Sequence, residues 1–233
     1  MSSNTIILVT GGTGFLGQEI VKAFLATGAQ VWVNYRSESK LSALTQAVQS
    51  TQLHGVFADL TQEDSVKALF AEITSRTGKL DVVVHAAGGF WMGGEIADTP
   101  LQQFHQMLQM NLLTTFLVTR QAFALMKKNG GGVIFTVASK TAEEFPAQMG
   151  AYSTSKAAVI ALTRTLANEG KPYGIRANVI LPSIIDTPAN RQAMPKADTS
   201  AWVKPEEIAQ TIVHLSQPGV TVNGSLIKLY GKL

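Results

Sequence analysis

The chain has 233 residues, 45% of them hydrophobic, with 19 basic and 16 acidic groups for a net charge of +3. That balance suits one folded domain with a sizeable core and excludes a disordered chain, while the scattered basic residues, with no run longer than Lys127 and Lys128, argue against a nucleic-acid footprint. Having no cysteine, the chain can build no disulfide framework, thiolate metal site or cysteine nucleophile.

The first predicted strand, TIILVT (5–10), is entered at once from Met1, with no basic leader and no small-residue cleavage site. No apolar run approaches the ~20 residues of a membrane span, so the expected location is the cytosol, with no membrane partner. A glycine turn follows, in which Gly12, Gly14 and Gly17 satisfy G-x-G-x-x-G and Gly11, Gly14 and Gly17 the wider G-x-x-G-x-x-G. Leu16, Ile20, Val21, Phe24 and Leu25 then recur at helical spacing. A glycine turn between a strand and a helix lets the backbone approach a pyrophosphate at the positive end of the helix, which predicts a dinucleotide site.

The second strand, QVWVNY (30–35), ends at Arg36 and Ser37, where an NAD enzyme carries an acid for the ribose hydroxyl. An arginine there accommodates a 2′-phosphate, so NADP(H) is the expected cofactor; the alternative is an ordinary exposed arginine, with Glu38 serving NAD from a shifted register. After the third strand, LHGVFA (53–58), Asp59 can accept from an adenine amino group or cap the next helix, whose apolar face is Val66, Leu69, Phe70 and Ile73. The fourth strand, LDVVVHAA (80–87), opens into a glycine-rich loop from Gly88 to Pro100, and the fifth, GGVIFTVAS (131–139), ends at Ser139. Next comes GAYSTSKAAVIALTRTLANEG (150–170), a predicted helix that places Tyr152 and Lys156 one turn apart on one face. The sixth and seventh strands are GIRANVIL (174–181) and SLIKLY (225–230), separated by a loop from Pro182 to Ala201.

Strand alternating with helix predicts an α/β protein: a single doubly wound Rossmann domain over residues 1–233, with a seven-stranded parallel sheet and helices on both faces. Ligands of such sheets bind beyond the carboxyl ends of the strands.

The segments TGGTGFLG, ADLT, HAAGG, NLLTTF, VASK, YSTSK and IRANVILPSIIDTP occur in an order and spacing that resembles the short-chain dehydrogenase/reductase family over essentially the whole chain. The resemblance implies Ser139, Tyr152, Lys156 and Asn111 as catalytic residues. It implies cofactor contacts from Gly11, Gly12, Gly14, Phe15, Leu16 and Gly17 in the first turn, and from Arg36, Ser37, Asp59 and Leu60 beyond the next two strands. Further contacts are implied from Ala86, Ala87, Gly88, Tyr152, Lys156, Pro182, Ser183, Ile185 and Thr187. The implied reaction reduces a carbonyl or oxidises a secondary alcohol, and the implied assembly is a homodimer or homotetramer through the long helices at about 100–128 and 151–170.

The residue types fit that chemistry. Carbonyl reduction needs a proton for the developing alkoxide, and Tyr152 is the expected donor, with Ser139 orienting the substrate oxygen and Asn111 holding a water that relays protons to Lys156. A phenol has a pKa of about 10, and a cation within ~4–6 Å lowers such a value by roughly 1–3 units, so Lys156 is expected to bring Tyr152 toward neutral pH. An NADP-binding sensor without activity is the non-enzymatic alternative.

Two features depart from the family pattern: His85 and Ala86 stand in place of two asparagines, and Ser183 follows Pro182 where glycine is usual. AGGFWMGG, the segment LPSIIDTPANRQAMPKADTSAW and GSLIKLY also resemble the dihydropteridine reductases, which implies Phe90 and Trp91 stacking on a flat heterocycle or lining an apolar pocket mouth. The histidines at 54, 85, 105 and 214 lack metal-ligand spacing, so no metal is expected.

Overall fold

The computed structural model describes residues 4–232. Seven strands, β1 (Ile6–Thr10), β2 (Gln30–Tyr35), β3 (Leu53–Phe57), β4 (Val82–His85), β5 (Gly132–Val137), β6 (Ile175–Pro182) and β7 (Leu226–Leu229), form one sheet in the order β3-β2-β1-β4-β5-β6-β7. Every pairing is parallel. The order reverses between β1 and β4, which opens a crevice at their carboxyl ends.

Helices α1 (Phe15–Leu25), α2 (Glu38–Val48) and α3 (Glu63–Thr77) follow the first three strands, and α4 (Leu101–Met107) and α5 (Thr114–Asn129) follow the fourth. The short α6 (Thr141–Glu144) and the long α7 (Gly150–Gly170) lie between β5 and β6, and α8 (Pro188–Ala193) and α9 (Pro205–Leu215) between β6 and β7.

Successive side chains on a strand point to opposite faces, so a strand covered on both sides must be apolar throughout. Ile6 and Leu8 accordingly join Leu69 of α3, Val118 of α5 and Leu166 of α7 in one buried cluster. Ile7 and Val9 join Ile20 and Phe24 of α1, Leu44 of α2 and Ile212 of α9 in the other.

Three features differ from the sequence reading. The fourth strand covers Val82–His85, a shorter run than 80–87, and the segment 182–201 carries α8 and a 3-10 turn, Thr199–Ala201, so it is not a plain loop. The long helix expected over 100–128 is interrupted by a π-helical stretch, Leu108–Leu113. A π-turn inserts one residue into the helical register and recurs at functional sites; here it carries Asn111.

Candidate active site

Close contact explains the glycines of the first turn. Gly11 has φ +72, and a Cβ on it would come within 2.7 Å of the Ala87 amide, so the turn after β1 touches the turn after β4. A Cβ on Gly17 would strike the Gly11 carbonyl, and one on Gly12 would lie 2.5 Å from Val33 Cγ1. Gly12 and Gly17 therefore seat α1 on the sheet, Leu16 packs on the core beneath, and Gly11 and Gly14 face the crevice. The Gly11 amide donates to Asn34 Oδ1 at 2.9 Å, and Asn34 Nδ2 donates to the Ala58 carbonyl at 3.2 Å, pinning the turn across β2 and β3. Phe15 opens α1 with its side chain exposed.

The crevice encloses about 520 Å³ and brings together Gly11, Gly14, Arg36, Ser37, Asp59 and Leu60 with Ala86, Ala87 and Gly88. It adds residues that sequence reasoning missed, among them Asn34, Tyr35, Lys40, Met110 and Thr114. Lys40 has the most consequence: it lies in the first turn of α2, four residues after Arg36, and a second cation so close in sequence to the end of β2 was the signal that could have found it. Both cations are exposed and, among the described residues, neither makes an ion pair. Glu38, the acid of the alternative register, accepts from the Tyr35 hydroxyl at 2.7 Å. Asp59 Oδ1 accepts from the amide and hydroxyl of Thr61 at 3.0 and 2.8 Å, bonds that hold its carboxyl below the usual range and close the turn before α3.

The catalytic candidates meet at the other end of the crevice. Ser139, just past β5, is buried; its Oγ accepts from the Thr141 amide at 3.3 Å and hydroxyl at 3.0 Å, which leaves its own proton free, and Ser139 acts on the nearby Tyr152 by lowering its pKa. Lys156 is buried on the same face of α7 as Tyr152, with Nζ donating to the Val137 carbonyl at 2.9 Å and lying 5.8 Å from the centroid of the phenol ring.

The expectation that Lys156 lowers the phenol's pKa is not met in this structure. Burial raises the pKa of Tyr152 and Ser139 opposes the rise only in part, while the Lys156 ammonium gives its hydrogen bond to the Val137 carbonyl. Burial also brings Lys156 itself down to about 8.

Asn111 holds the loop after β4. Its Oδ1 accepts from the Gly89 amide at 2.9 Å, while Nδ2 donates to the Gly89 carbonyl at 3.1 Å and to Ser155 Oγ at 3.0 Å. The side chain thereby makes a two-point clamp on Gly89. A Cβ on Gly88 would come 2.7 Å from Asn111 Oδ1 and 3.3 Å from Lys156 Nζ, so the lack of a side chain there keeps the space between them open.

His85 is a fixed part of the same wall. Thr114 Oγ1 donates to the Met110 carbonyl at 2.7 Å, so it accepts from His85 Nε2 at 3.3 Å, and His85 Nδ1 then accepts from Thr10 Oγ1 at 2.7 Å. Burial, with the Lys156 charge nearby, pushes the imidazole down to about 3 and keeps it neutral.

The expected contact residues after β6 also make local bonds. Ser183 donates from its amide to the Leu229 carbonyl at 3.0 Å and from its hydroxyl to the Tyr230 carbonyl at 2.9 Å. Thr187 caps α8, its hydroxyl accepting from the Asn190 amide at 3.2 Å, and Ile185 bridges to Val203 beside Pro182, the last residue of β6. Phe90 meets Tyr152 edge-on, with ring centroids 4.9 Å apart. Trp91 turns toward Gly93 instead, where a Cβ would lie 3.2 Å from the indole.

Comparison with known proteins agrees with this architecture. The profile of the short chain dehydrogenase family matches residues 5–198. An L-fucose dehydrogenase of Bos taurus is 33% identical over 214 residues, covering 91% of this chain and 78% of the relative. A short-chain type dehydrogenase/reductase from Mycobacterium ulcerans superposes with a TM-score of 0.92 at 26% identity, covering 98% of this chain and 89% of that one. An actinorhodin polyketide ketoreductase variant solved with NADPH gives 0.91 at 26% identity, over 99% and 98% of the two chains.

Proposed function

Because the chain belongs to the short-chain dehydrogenase family, we propose that it is an NADP(H)-dependent oxidoreductase that reduces a carbonyl or oxidises a secondary alcohol, with Tyr152 as proton donor and acceptor. When bound, the nicotinamide supplies or takes up the hydride. The crevice suits that group: Gly11 and Gly14 leave backbone exposed at the N-terminus of α1 that would take a pyrophosphate, and Arg36, Ser37 and Lys40, which line the same crevice, would hold a 2′-phosphate. Lys156, buried 5.8 Å from the Tyr152 ring centroid, would hold a ribose hydroxyl.

The observation that carries the reading is the meeting of Tyr152 with the buried Lys156, its Nζ 5.8 Å from the phenol ring, and with the buried Ser139 at one end of the crevice. A raised phenol pKa keeps the Tyr152 proton in place until a substrate oxygen becomes basic, which suits donation in the reductive direction. Ser139, whose oxygen is held by Thr141, presents its own proton to the same oxygen. In the oxidative direction the Tyr152 phenolate takes the proton back from the alcohol, and the nearby Lys156 charge would favour the phenolate that forms when Tyr152 donates in the reductive direction.

The test is Tyr152→Phe. Turnover of NADPH with a panel of ketones, aldehydes, 3-oxoacyl esters and a quinonoid dihydropterin should be lost while NADPH binding is kept. Unchanged turnover in the variant, or a wild type that binds NADPH and reduces nothing, would leave the sensor reading in its place.

We also assign the assembly to the outer face of α4 and α5. Leu101, Leu113 and Phe116 are exposed there beside an apolar groove that includes Leu108 and Leu162, and a second copy of the chain would cover it. Sedimentation should show a dimer or tetramer that Phe116→Glu dissociates.

A further inference from the structure

The loop after β4 determines what the Tyr152 hydroxyl can face. From Gly88 to Gly94 it reads GGFWMGG, in which the Trp91 indole is the only side chain with a hydrogen to donate and no side chain offers an oxygen. Phe90 rests edge-on against the Tyr152 ring, yet 62% of it is exposed; Met92 is 51% exposed and Ile96 75%. Ile96 also packs over Gly150, two residues before Tyr152. The Gly93 amide donates to the Gln148 carbonyl at 3.0 Å, which ties this wall to the loop carrying the exposed Phe145.

The segment after β6 adds little to this wall, because several of its polar side chains are bonded locally: Arg191 pairs with Asp186 at 2.6 and 2.8 Å, Asn190 Nδ2 donates to the Ile185 carbonyl at 2.8 Å, and the Ser183 hydroxyl donates to the Tyr230 carbonyl, while Gln192 and Lys196 are exposed. A polyhydroxylated substrate brings a donor and an acceptor on nearly every carbon, and each must find a partner on leaving water. This mouth offers few. It offers instead an aromatic edge and face that gain by covering an apolar ring.

We propose that the Tyr152 site selects a ketone or secondary alcohol borne on an apolar ring system, aryl or alicyclic, over a polyol, with Phe90 as the specificity-determining residue. This rests on the oxidoreductase reading given above, but the recognition of an apolar ring can be measured without turnover. The carbonyl carbon would take the hydride and the oxygen the Tyr152 proton, at Ser139, while the ring lies along Phe90.

The experiment pairs binding with rates. Acetophenone, 1-tetralone and L-fucose are titrated against the chain with NADP⁺ present, and reduction of the two ketones and oxidation of L-fucose are followed at matched cofactor concentrations. The expected result is binding and turnover of 1-tetralone with a kcat/KM at least tenfold above that for L-fucose. Phe90→Ala should lower the 1-tetralone value roughly tenfold through KM, since a partly buried aromatic contact is of that order, and Phe90→Leu should restore part of it. The L-fucose value should move less than twofold. A kcat/KM for L-fucose equal to or above that for 1-tetralone, or a Phe90→Ala variant that binds and turns over 1-tetralone unchanged, overturns the proposal. Phe90-dependent binding of 1-tetralone without reduction supports the apolar site and overturns only the oxidoreductase reading.

Discussion

Lys156 Nζ stands 5.8 Å from the centroid of the Tyr152 ring and gives its hydrogen bond to the Val137 carbonyl, leaving the phenol to Ser139. The two residues thus share a face without sharing a proton. With its proton retained by burial, the tyrosine is set up to donate, and the lysine contributes its charge from a buried seat that burial itself makes costly. That cost has consequences for both pH dependence and stability.

The lysine's pKa falls from 10.5 to about 8, so its charge is present below about pH 8 and lost above. Reductive kcat/KM should hold level from pH 6 to 7.5 and fall as pH rises through about 8, with Lys156→Met losing at least 100-fold in rate and the break in the profile. For stability the sign is opposite to that of an ion pair. Between the folded value of about 8 and the unfolded 10.5 the unfolded chain binds more protons, so the penalty fades as pH rises through that window and is fully present below it. Lys156→Met should therefore stabilise the ligand-free chain by about 1–2 kcal/mol at pH 7, the remainder of the relieved penalty being offset by the lost Val137 bond. Urea denaturation that shows the variant weaker than the wild type would contradict this.

His85 titrates on the acid side. Its folded pKa is about 3 against 6.5 unfolded, so between those values the unfolded chain takes up a proton that the folded chain refuses, and stability is lost as pH falls below about 6.5. The loss from this one group is about 1.4 kcal/mol per pH unit once well below 6.5, or about 2 kcal/mol by pH 5. His85→Asn removes the titration while keeping a polar side chain. Denaturation midpoints at pH 5, 6 and 7 should show a shallower slope for the variant, whatever its absolute stability, and equal slopes would mean that the imidazole is protonated in the folded chain.

Arg36 and Lys40 are argued to read the 2′-phosphate together. Charge-assisted bonds to such a group are worth roughly 1.5–3 kcal/mol, so Arg36→Leu combined with Lys40→Ala should raise the KM for NADPH by about 10–100-fold and that for NADH by less than threefold. Equal effects on the two cofactors would show that the pair serves the fold or the common part of the dinucleotide. Glu38 accepts from the Tyr35 hydroxyl through Oε1 and, among the described residues, keeps its second oxygen free, so a KM for NADH below that for NADPH in the wild type would assign the ribose to Glu38.

The fold was legible because the sheet is covered on both faces: Ile6 to Val9 and Val82 to Val84 are buried without alternation, and such runs between amphipathic segments have few readings. The crevice was legible from its glycines and strand ends, where residue type and position coincide. The π-turn was not, since LQMNLL has the composition of an ordinary helix and the added residue shows only in the bonding of Thr114 and Asn111. Nor was the state of Tyr152, which depends on how deeply α7 is buried and on which acceptor Lys156 finds, both set by tertiary packing. Ser183 illustrates the same limit: its position matches a cofactor contact, while its hydroxyl donates to the Tyr230 carbonyl.

Two glycines separate space from backbone strain. Gly88 has no positive φ, so alanine there is conformationally acceptable, but its Cβ would come within 2.7 Å of Asn111 Oδ1 and 3.3 Å of Lys156 Nζ. Asn111 cannot give way freely, because it is bonded to both polar groups of Gly89 and to Ser155. Gly28 is the reverse case, with φ +83 and nothing within 4 Å of the added carbon. Gly88→Ala should lower kcat by about 10–100-fold through the displaced Lys156 or Asn111, with little change in melting temperature. Gly28→Ala should cost about 1 kcal/mol of stability and leave kcat and KM unchanged. If Gly88→Ala turns over normally, the space between the amide oxygen and the ammonium has no part in the reaction, and Asn111 serves only to hold the loop that carries Phe90.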